Sequence, residues 1–251
     1  MAFSVPAESY DRFIGRYSGQ LAAQMADLAG IERGQHVIDV GCGPGALATE
    51  LVQRVGAEAV AAVDPSESFA EAVALRCPGV DVRLASAEDL PFAMHTFDAA
   101  LAQLVVHFMD DPVRGLGEMA RVTRTDGVVA ACVWDNAGGR TPLAPFWRAA
   151  RELDPQVEDG SGYAGGREGH LRELFTEAGL REIEDTSLPV HVQHASFEEW
   201  WEPFTLGVGP AGVYLAGLER ERQEHLRELC REQLPAPFTL ETRAWAARGI
   251  V

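Results

Sequence analysis

Lysine is missing from this chain: all 21 of its cationic residues are arginine, set against 38 acidic ones. Chemistry that needs a lysine amine is therefore excluded, including Schiff-base and pyridoxal catalysis, phosphate-loop hydrolysis of the Gly-Lys-Ser/Thr type, and reductases built on a Tyr-Lys pair. The net charge of −17 opposes a phosphate backbone and no basic run offsets it, so nucleic acid is not an expected partner. Cysteine is scarce as well. Cys42, Cys77, Cys132 and Cys230 stand far apart, at neither metal-ligand nor redox spacing, which predicts reduced thiols and no disulfide framework. No apolar run approaches the roughly 20 residues that span a bilayer. The start, Met1-Ala2-Phe3-Ser4-Val5-Pro6-Ala7-Glu8, has neither the basic leader nor the apolar segment of a secretory signal. A cytoplasmic protein with no membrane partner is the expectation.

What is present points to one α/β domain. At 251 residues with 47% hydrophobic content, the chain can bury a large core, and its length suits a single domain with an insertion. Phe13, Tyr17, Leu21, Met25 and Leu28 recur at helical spacing and predict a leading helical segment over residues 7–30. Strand candidates then follow at 37–40, 60–63, 80–84, 97–101 and 127–133. Helical spacing separates them at 46–55, 66–75 and 112–122, a pattern that predicts a doubly wound parallel sheet. The alternation stops at Trp134. Beyond it lie a loop at 135–140, a helix at 145–153, a loose Gly-rich and acidic stretch at 154–166, and helical spacing from Leu171 to the stop at Gly179. A strand at 181–192, two helices within 195–233 and a closing strand at 239–247 complete the reading.

The strongest motif is Val37-Ile38-Asp39-Val40-Gly41-Cys42-Gly43-Pro44-Gly45, a buried strand entering a glycine-rich turn and then a helix. Such a turn at the C-terminal edge of a parallel sheet lets backbone approach a ligand closely. Taken alone, the turn also satisfies a loose dinucleotide fingerprint and does not choose the cofactor. Asp64 follows the second strand, where a carboxylate can accept both hydroxyls of a ribose; it could also cap a helix, with Pro65 at the first helical position. Asp39 stands where it could meet loop amides or a ligand ammonium.

Added to Ala85-Ser86-Ala87-Glu88-Asp89-Leu90-Pro91-Phe92 after the third strand, this set resembles the class I S-adenosylmethionine-dependent methyltransferases, in particular their small-molecule branch. The core resemblance runs over residues 33–135, and Arg121-Val122-Thr123-Arg124-Thr125-Asp126-Gly127 stands where the family has a basic turn before strand five. Tyr10-Asp11-Arg12-Phe13-Ile14-Gly15-Arg16-Tyr17-Ser18 and Thr242-Arg243-Ala244-Trp245-Ala246-Ala247-Arg248-Gly249 are similar to the ends of one branch. The resemblance implies the Rossmann-like seven-stranded methyltransferase sheet, its last strand antiparallel, with helical insertions forming a cap. It also implies S-adenosylmethionine as cofactor, leaving as S-adenosylhomocysteine. Gly41, Gly43 and Gly45 would line the methionine moiety, bordered by Gln103 and Leu104. Asp64 would hold the ribose, and Ser86, Ala87 and Glu88 would face the adenine. Asp39, Cys42, Pro65, and Arg16 and Tyr17 of the leader join this set of cofactor contacts. Ser86 departs from the family, where Asp is frequent, which implies an adenine amino contact that is either weaker or moved to Glu88.

Methyl transfer asks mainly for an acceptor held in line. His107, four residues beyond Gln103, is the candidate catalytic base if the acceptor must lose a proton; a packing histidine is the alternative. No metal site is expected. His191 and His194 fall on opposite faces of a strand, and Asp135-Asn136, placed like a metal-assisted catechol methyltransferase's ligands, has no matching carboxylate at Gln103. Phe146, Trp147, Phe197, Trp200, Trp201 and Phe204 read equally as core or as an apolar acceptor pocket. The division expected within the single domain is a helical leader (1–32), a cofactor-binding core (33–134), a cap with strand six (135–235) and a closing strand (236–251). The function expected is methylation of a small molecule. A non-catalytic cofactor-binding protein, a cofactor-scaffolded enzyme of another kind, and a nicotinamide-dependent oxidoreductase stand as alternatives.

Overall fold

The computed structural model describes residues 7–251, so the reading of residues 1–8 as lacking a leader falls largely outside it. The helices are α1 (Ala7–Tyr10), α2 (Arg16–Leu28), α3 (Ala46–Val55), α4 (Glu67–Arg76), α5 (Pro112–Val122), α6 (Ala144–Leu153), α7 (His170–Glu177), α8 (Phe197–Trp201), α9 (Gly209–Gly217) and α10 (Arg220–Gln233). The strands β1 (Val37–Val40), β2 (Val60–Asp64), β3 (Asp81–Leu84), β4 (Phe97–Gln103), β5 (Thr123–Trp134), β6 (Arg181–His194) and β7 (Phe238–Ile250) form one seven-stranded sheet, in the order β3-β2-β1-β4-β5-β7-β6. β1 to β5 pair in parallel, whereas β7 is antiparallel to both β5 and β6. The reversed last strand and the insertions on either side of β6 agree with the expectation.

β1 and β2 are buried at every residue because helices cover both faces, which is why they read as continuous apolar runs. On one face Leu21 and Met25 of α2 and Leu47 and Leu51 of α3 pack against Val37, Leu101 and Val190. On the other, Leu116 and Met119 of α5 and Phe175 of α7 meet Ile38, Ala100 and Val129. A separate apolar cluster lies in the insertions, where Phe146, Trp200, Trp201, Phe204, Leu226 and Cys230 pack together. The apolar stripes of α6 and α10 face each other here, giving the insertions a small core of their own.

Four elements differ from the sequence reading. The leading helix is interrupted by a π turn at Asp11–Gly15. The turn expected at 121–127 is divided between the end of α5, at Arg121 and Val122, and the start of β5, whose pairing with β4 jumps from Phe97↔Thr123 to Ala99↔Val128, so residues 124–127 bulge out of register. Residues 195–233 hold three helices and a 3-10 turn, Glu202–Leu206, rather than two helices. Gly207 ends that turn in the left-handed region, and extended backbone at Leu218 separates α9 from α10, so the apolar spacing from Leu215 to Leu229 spans a break.

Candidate functional site

A cleft of about 230 Å³ opens at the C-terminal ends of β1, β2 and β4, where the glycine turn, the β2–α4 corner and the segments after β3 and β4 converge. The amides of Gly41 and Cys42 both donate to the Val63 carbonyl, at 2.8 and 2.9 Å, fastening the turn to the end of β2. Gly41 has φ 71°, and a methyl group in its place would stand 2.5 Å from the methyls of Val105. Only glycine therefore lets β1 and the start of the β4 loop approach this closely. Gly43, Cys42 and Pro44 line the cleft. Gly45, at φ 96°, is not among its walls; it turns the chain into α3, against Val73.

Two acids sit side by side in this wall and live differently. Asp64, 6% exposed, accepts the Gly43 amide on Oδ2 at 2.9 Å and the Ser66 amide on Oδ1 at 2.8 Å, locking the glycine turn to the β2–α4 corner. Burial raises its pKa, and those two amides pull it back. Helix α4 begins at Glu67 with Ser66 before it, so Asp64 is not the helix cap and Pro65 lies outside the first turn, lining the cleft instead. Asp39 is 1% exposed, and neither of its oxygens makes a hydrogen bond of ordinary geometry among the described residues, the Ala48 amide of α3 acting on it only weakly. The amides of Gly41, Cys42 and Gly43 are committed to Val63 and Asp64. Burial pushes the Asp39 carboxyl up to about 8, against a weaker pull from the Ala48 amide and with Asp64 adding to the rise.

Ser86, Ala87, Glu88, Gln103 and Leu104 all reach the cleft, as the sequence suggests. Glu88 spends Oε1 on the Asp110 amide at 2.8 Å, bracing the 108–110 segment that closes this end. Gln103 donates Nε2 to the Ser18 carbonyl at 3.1 Å and thereby ties β4 to α2. Arg16 and Tyr17 do not line the cleft. Arg16 pairs with Glu199 at 2.8 Å, and the Tyr17 hydroxyl lies 2.8 Å from His194 Nε2, both on the side of α2 turned toward α8. The helical phase gives the cleft Tyr10, Asp11, Gly15 and Ser18 instead. Phe69, Phe108, Met109 and Asp110 also line it without any signal in the sequence; Tyr10 packs edge-on against Phe69, its ring centroid 5.3 Å away.

A second, smaller cavity of about 70 Å³ shares Tyr10, Leu104 and Phe108 with the cleft and runs toward the insertions past Phe13, Trp134, Leu143, Trp147 and Tyr163. His107 lies in its wall, with its ring 3.9 Å from Phe108 and stacked on Tyr163 at 5.3 Å. Its Nδ1 is buried without a hydrogen-bond partner among the described residues, and burial lowers its pKa to about 3. Of the six insertion aromatics only Trp147 lines this cavity. Phe146, Phe197, Trp200, Trp201 and Phe204 stack on one another, Phe146 and Phe204 with centroids 4.8 Å apart. Asp135 is consumed by Arg243 at 2.8 Å and the Gly138 amide at 2.9 Å, which anchor the 135–140 loop to β7. His191 is exposed and His194 buried, on opposite faces of β6. No cluster of three or more metal-ligating side chains occurs among the described residues, and no helix there is long and apolar enough to cross a membrane.

Residues 38–131 match the methyltransferase domain family. An O-methyltransferase of Aspergillus sclerotiorum is 30% identical over 187 residues, which are 71% of this chain and 65% of that protein. The chloroplastic 2-methyl-6-phytyl-1,4-hydroquinone methyltransferase 2 of Oryza sativa subsp. japonica is 39% identical over 166 residues, 64% of this chain and 43% of that protein. The chain thus spans less than two thirds of the length of either relative. Among solved structures, geranyl diphosphate C-methyltransferase from Streptomyces coelicolor A3(2), in complex with Mg2+, geranyl diphosphate and S-adenosyl-L-homocysteine, superposes with a TM-score of 0.55. The match has 15% identity and covers 94% of this chain and 80% of that one, a likeness of fold.

Proposed function

We propose, from the fact that this chain belongs to the class I S-adenosylmethionine-dependent methyltransferase family, that it transfers a methyl group from that cofactor to a small-molecule acceptor. The observation that carries the proposal is Asp39: a buried carboxyl with both oxygens unpartnered, in the wall of a glycine-lined cleft. Such a group is costly to ionise unless a cation completes it, and the cofactor's ammonium is one. A dinucleotide pyrophosphate would instead bring negative charge to the cleft of Asp39 and Asp64, which speaks against the nicotinamide alternative. Asp64, held in place by two amides, keeps lone pairs for ribose hydroxyls. Ser86, Ala87 and Glu88 would border the adenine end, together with Phe108 and Asp110 of the segment that Glu88 braces.

When bound, S-adenosylmethionine supplies a methyl group already made electrophilic by its sulfonium. The chain's own task is to hold an acceptor in line and to exclude water, and the aromatic cavity beyond Tyr10, Leu104 and Phe108 is shaped for both. With its basicity suppressed by burial, His107 is a poor general base. Its unpartnered Nδ1 suits it to accept a hydrogen bond from an acceptor hydroxyl or amine and so to aim it. Residues 33–134 then hold the cofactor and 135–235 choose the acceptor, while the leader contributes to both through Tyr10. The names of the two relatives, an O-methyltransferase and a hydroquinone methyltransferase, support a small-molecule acceptor.

Calorimetric titration with S-adenosylhomocysteine, followed by incubation of a metabolite extract with labelled methyl donor, tests this. Binding together with a labelled small product is expected. Failure of S-adenosylhomocysteine to bind, or tighter binding of a nicotinamide cofactor, would remove the proposal; binding with no labelled product from any extract would favour a non-catalytic or scaffolding role.

A further inference from the structure

The aromatic cavity borders a charged recess. Beyond Trp147 lies a recess of about 260 Å³ that shares Asn136, Thr141, Trp147 and Asp159 with it. The sign of this recess follows group by group. Asp159 is the one carboxylate among its described walls, and it is already engaged by Arg151 and by the Ser161 amide at 2.9 Å, so Arg151 and Asp159 cancel. Arg148 lies one helical turn before Arg151 on the same side of α6. Its Nε donates to the neutral Gln233 Oε1 at 3.0 Å, and it makes no ion pair among the described residues. The adjoining loop offers no competing donors: the amides of Ala137, Gly138, Gly139 and Arg140 are all spent on Gly166, Asp135 and Asn136. One guanidinium charge is left over, facing the recess in a chain whose net charge is −17.

Resting on the methyl-transfer reading above, we infer that the acceptor is an aromatic carboxylate. Its ring lies in the cavity between Phe108, Trp134, Trp147 and Tyr163, and its carboxylate is held by Arg148 in the recess. A planar guanidinium matches a carboxylate with two parallel hydrogen bonds. A single surplus positive charge balances one negative charge, whereas a phosphate dianion would leave a charge unmatched beside Asp159. Trp147, which walls both spaces, is the hinge of this arrangement: its indole stacks on the ring while the next residue along α6 reaches the acid.

Protein saturated with S-adenosylhomocysteine is titrated with two probes that differ only in the acid, 2-naphthol and 6-hydroxy-2-naphthoate, followed by calorimetry. The naphthoate is expected to bind at least about tenfold more tightly. Arg148→Gln should reduce that preference to under about twofold, while melting temperature and S-adenosylhomocysteine affinity stay at wild-type values, and Arg148→Lys should retain part of it. Equal binding of the two probes, a preference that survives Arg148→Gln, or no binding of either probe to the S-adenosylhomocysteine complex overturns the inference and leaves methyl transfer standing. Failure of S-adenosylhomocysteine itself to bind overturns the methyl-transfer reading and this inference with it.

Discussion

The cleft beneath the glycine turn and the aromatic cavity beside it share the wall of Tyr10, Leu104 and Phe108, yet they are made of different material. The cleft takes its polar atoms from backbone and carboxylates: turns at strand ends, fixed by Val63, Asp64 and Glu88 accepting the amides of neighbouring loops. The cavity is mostly aromatic side chain, brought together from the leader, the end of β5, α6 and the 154–166 stretch. A site of the first kind tolerates little change in its few polar atoms. A site of the second kind can be reshaped one ring at a time, which suits a fold whose cofactor is constant and whose acceptor varies.

The largest expected effect tests whether the insertions are a wall or a core. Trp201 is 6% exposed, lines neither cavity, and stacks on Phe146 and Phe197. Trp201→Ala should therefore cost about 3 to 5 kcal/mol of stability, read as a lowered denaturant midpoint, and cofactor and acceptor binding should decline together. A fully stable variant with only acceptor kinetics altered would move Trp201 into the pocket.

Next in size is Asp64→Ala, which removes ribose acceptors and also orphans the Gly43 and Ser66 amides that shape the turn. Two charged hydrogen bonds lost together should weaken S-adenosylhomocysteine binding about a hundredfold by calorimetry. A change below about threefold would detach Asp64 from the cofactor. Smaller again is Trp147→Ala, which opens the aromatic cavity while leaving the cleft intact. The Michaelis constant of an identified acceptor should rise about tenfold, with cofactor affinity nearly constant. Equal losses in both would show that the two cavities do not work separately.

The same difference explains what could be read from the sequence. β1, α3 and α5 match their expected limits because their signals are local, a continuous apolar run or helical spacing between turn residues. Asp39, Asp64 and the glycine turn were legible for the same reason: a loop at a strand end carries its chemistry in consecutive residues. The π turn at Asp11–Gly15 was not, and with it went the phase that turns Arg16 and Tyr17 away from the cleft and Tyr10 and Ser18 toward it. The aromatic set in the insertions could not be sorted from spacing alone. Trp147 and its neighbour Phe146 belong to the same apolar cluster, and only Trp147 also reaches the cavity wall. Arg148 and Gln233 meet across 85 positions of sequence, and no periodicity announces such a contact.

The smallest expected effect is a pH dependence confined to the cleft, and its sign follows from Asp39. Burial raises this carboxyl from an ordinary 3.8 to about 8 in the ligand-free protein, so near pH 7 the group is largely protonated. A folded-state value above the unfolded one contributes stability that is fully present below about 3.8 and is lost as pH rises through about 8. The ligand-free melting temperature should accordingly fall across that window. Binding has the opposite sign. An ammonium is paired by the carboxylate and not by the acid, so S-adenosylhomocysteine affinity should rise as the proton leaves, by about fivefold between pH 7 and pH 8 for a group titrating near 8. Asp39→Asn, which cannot lose that proton, should bind more weakly and show a flat profile over the same interval. Calorimetry in buffers of different ionisation enthalpy adds a direct count, with close to one proton released per ligand bound at pH 7 by the wild type and none by Asp39→Asn. The aromatic cavity should not follow this profile, because His107, held near 3 by burial, is already neutral throughout. A pH dependence of acceptor binding that tracks the cofactor's step for step would mean that Asp39 governs both spaces, and would erase the contrast between them.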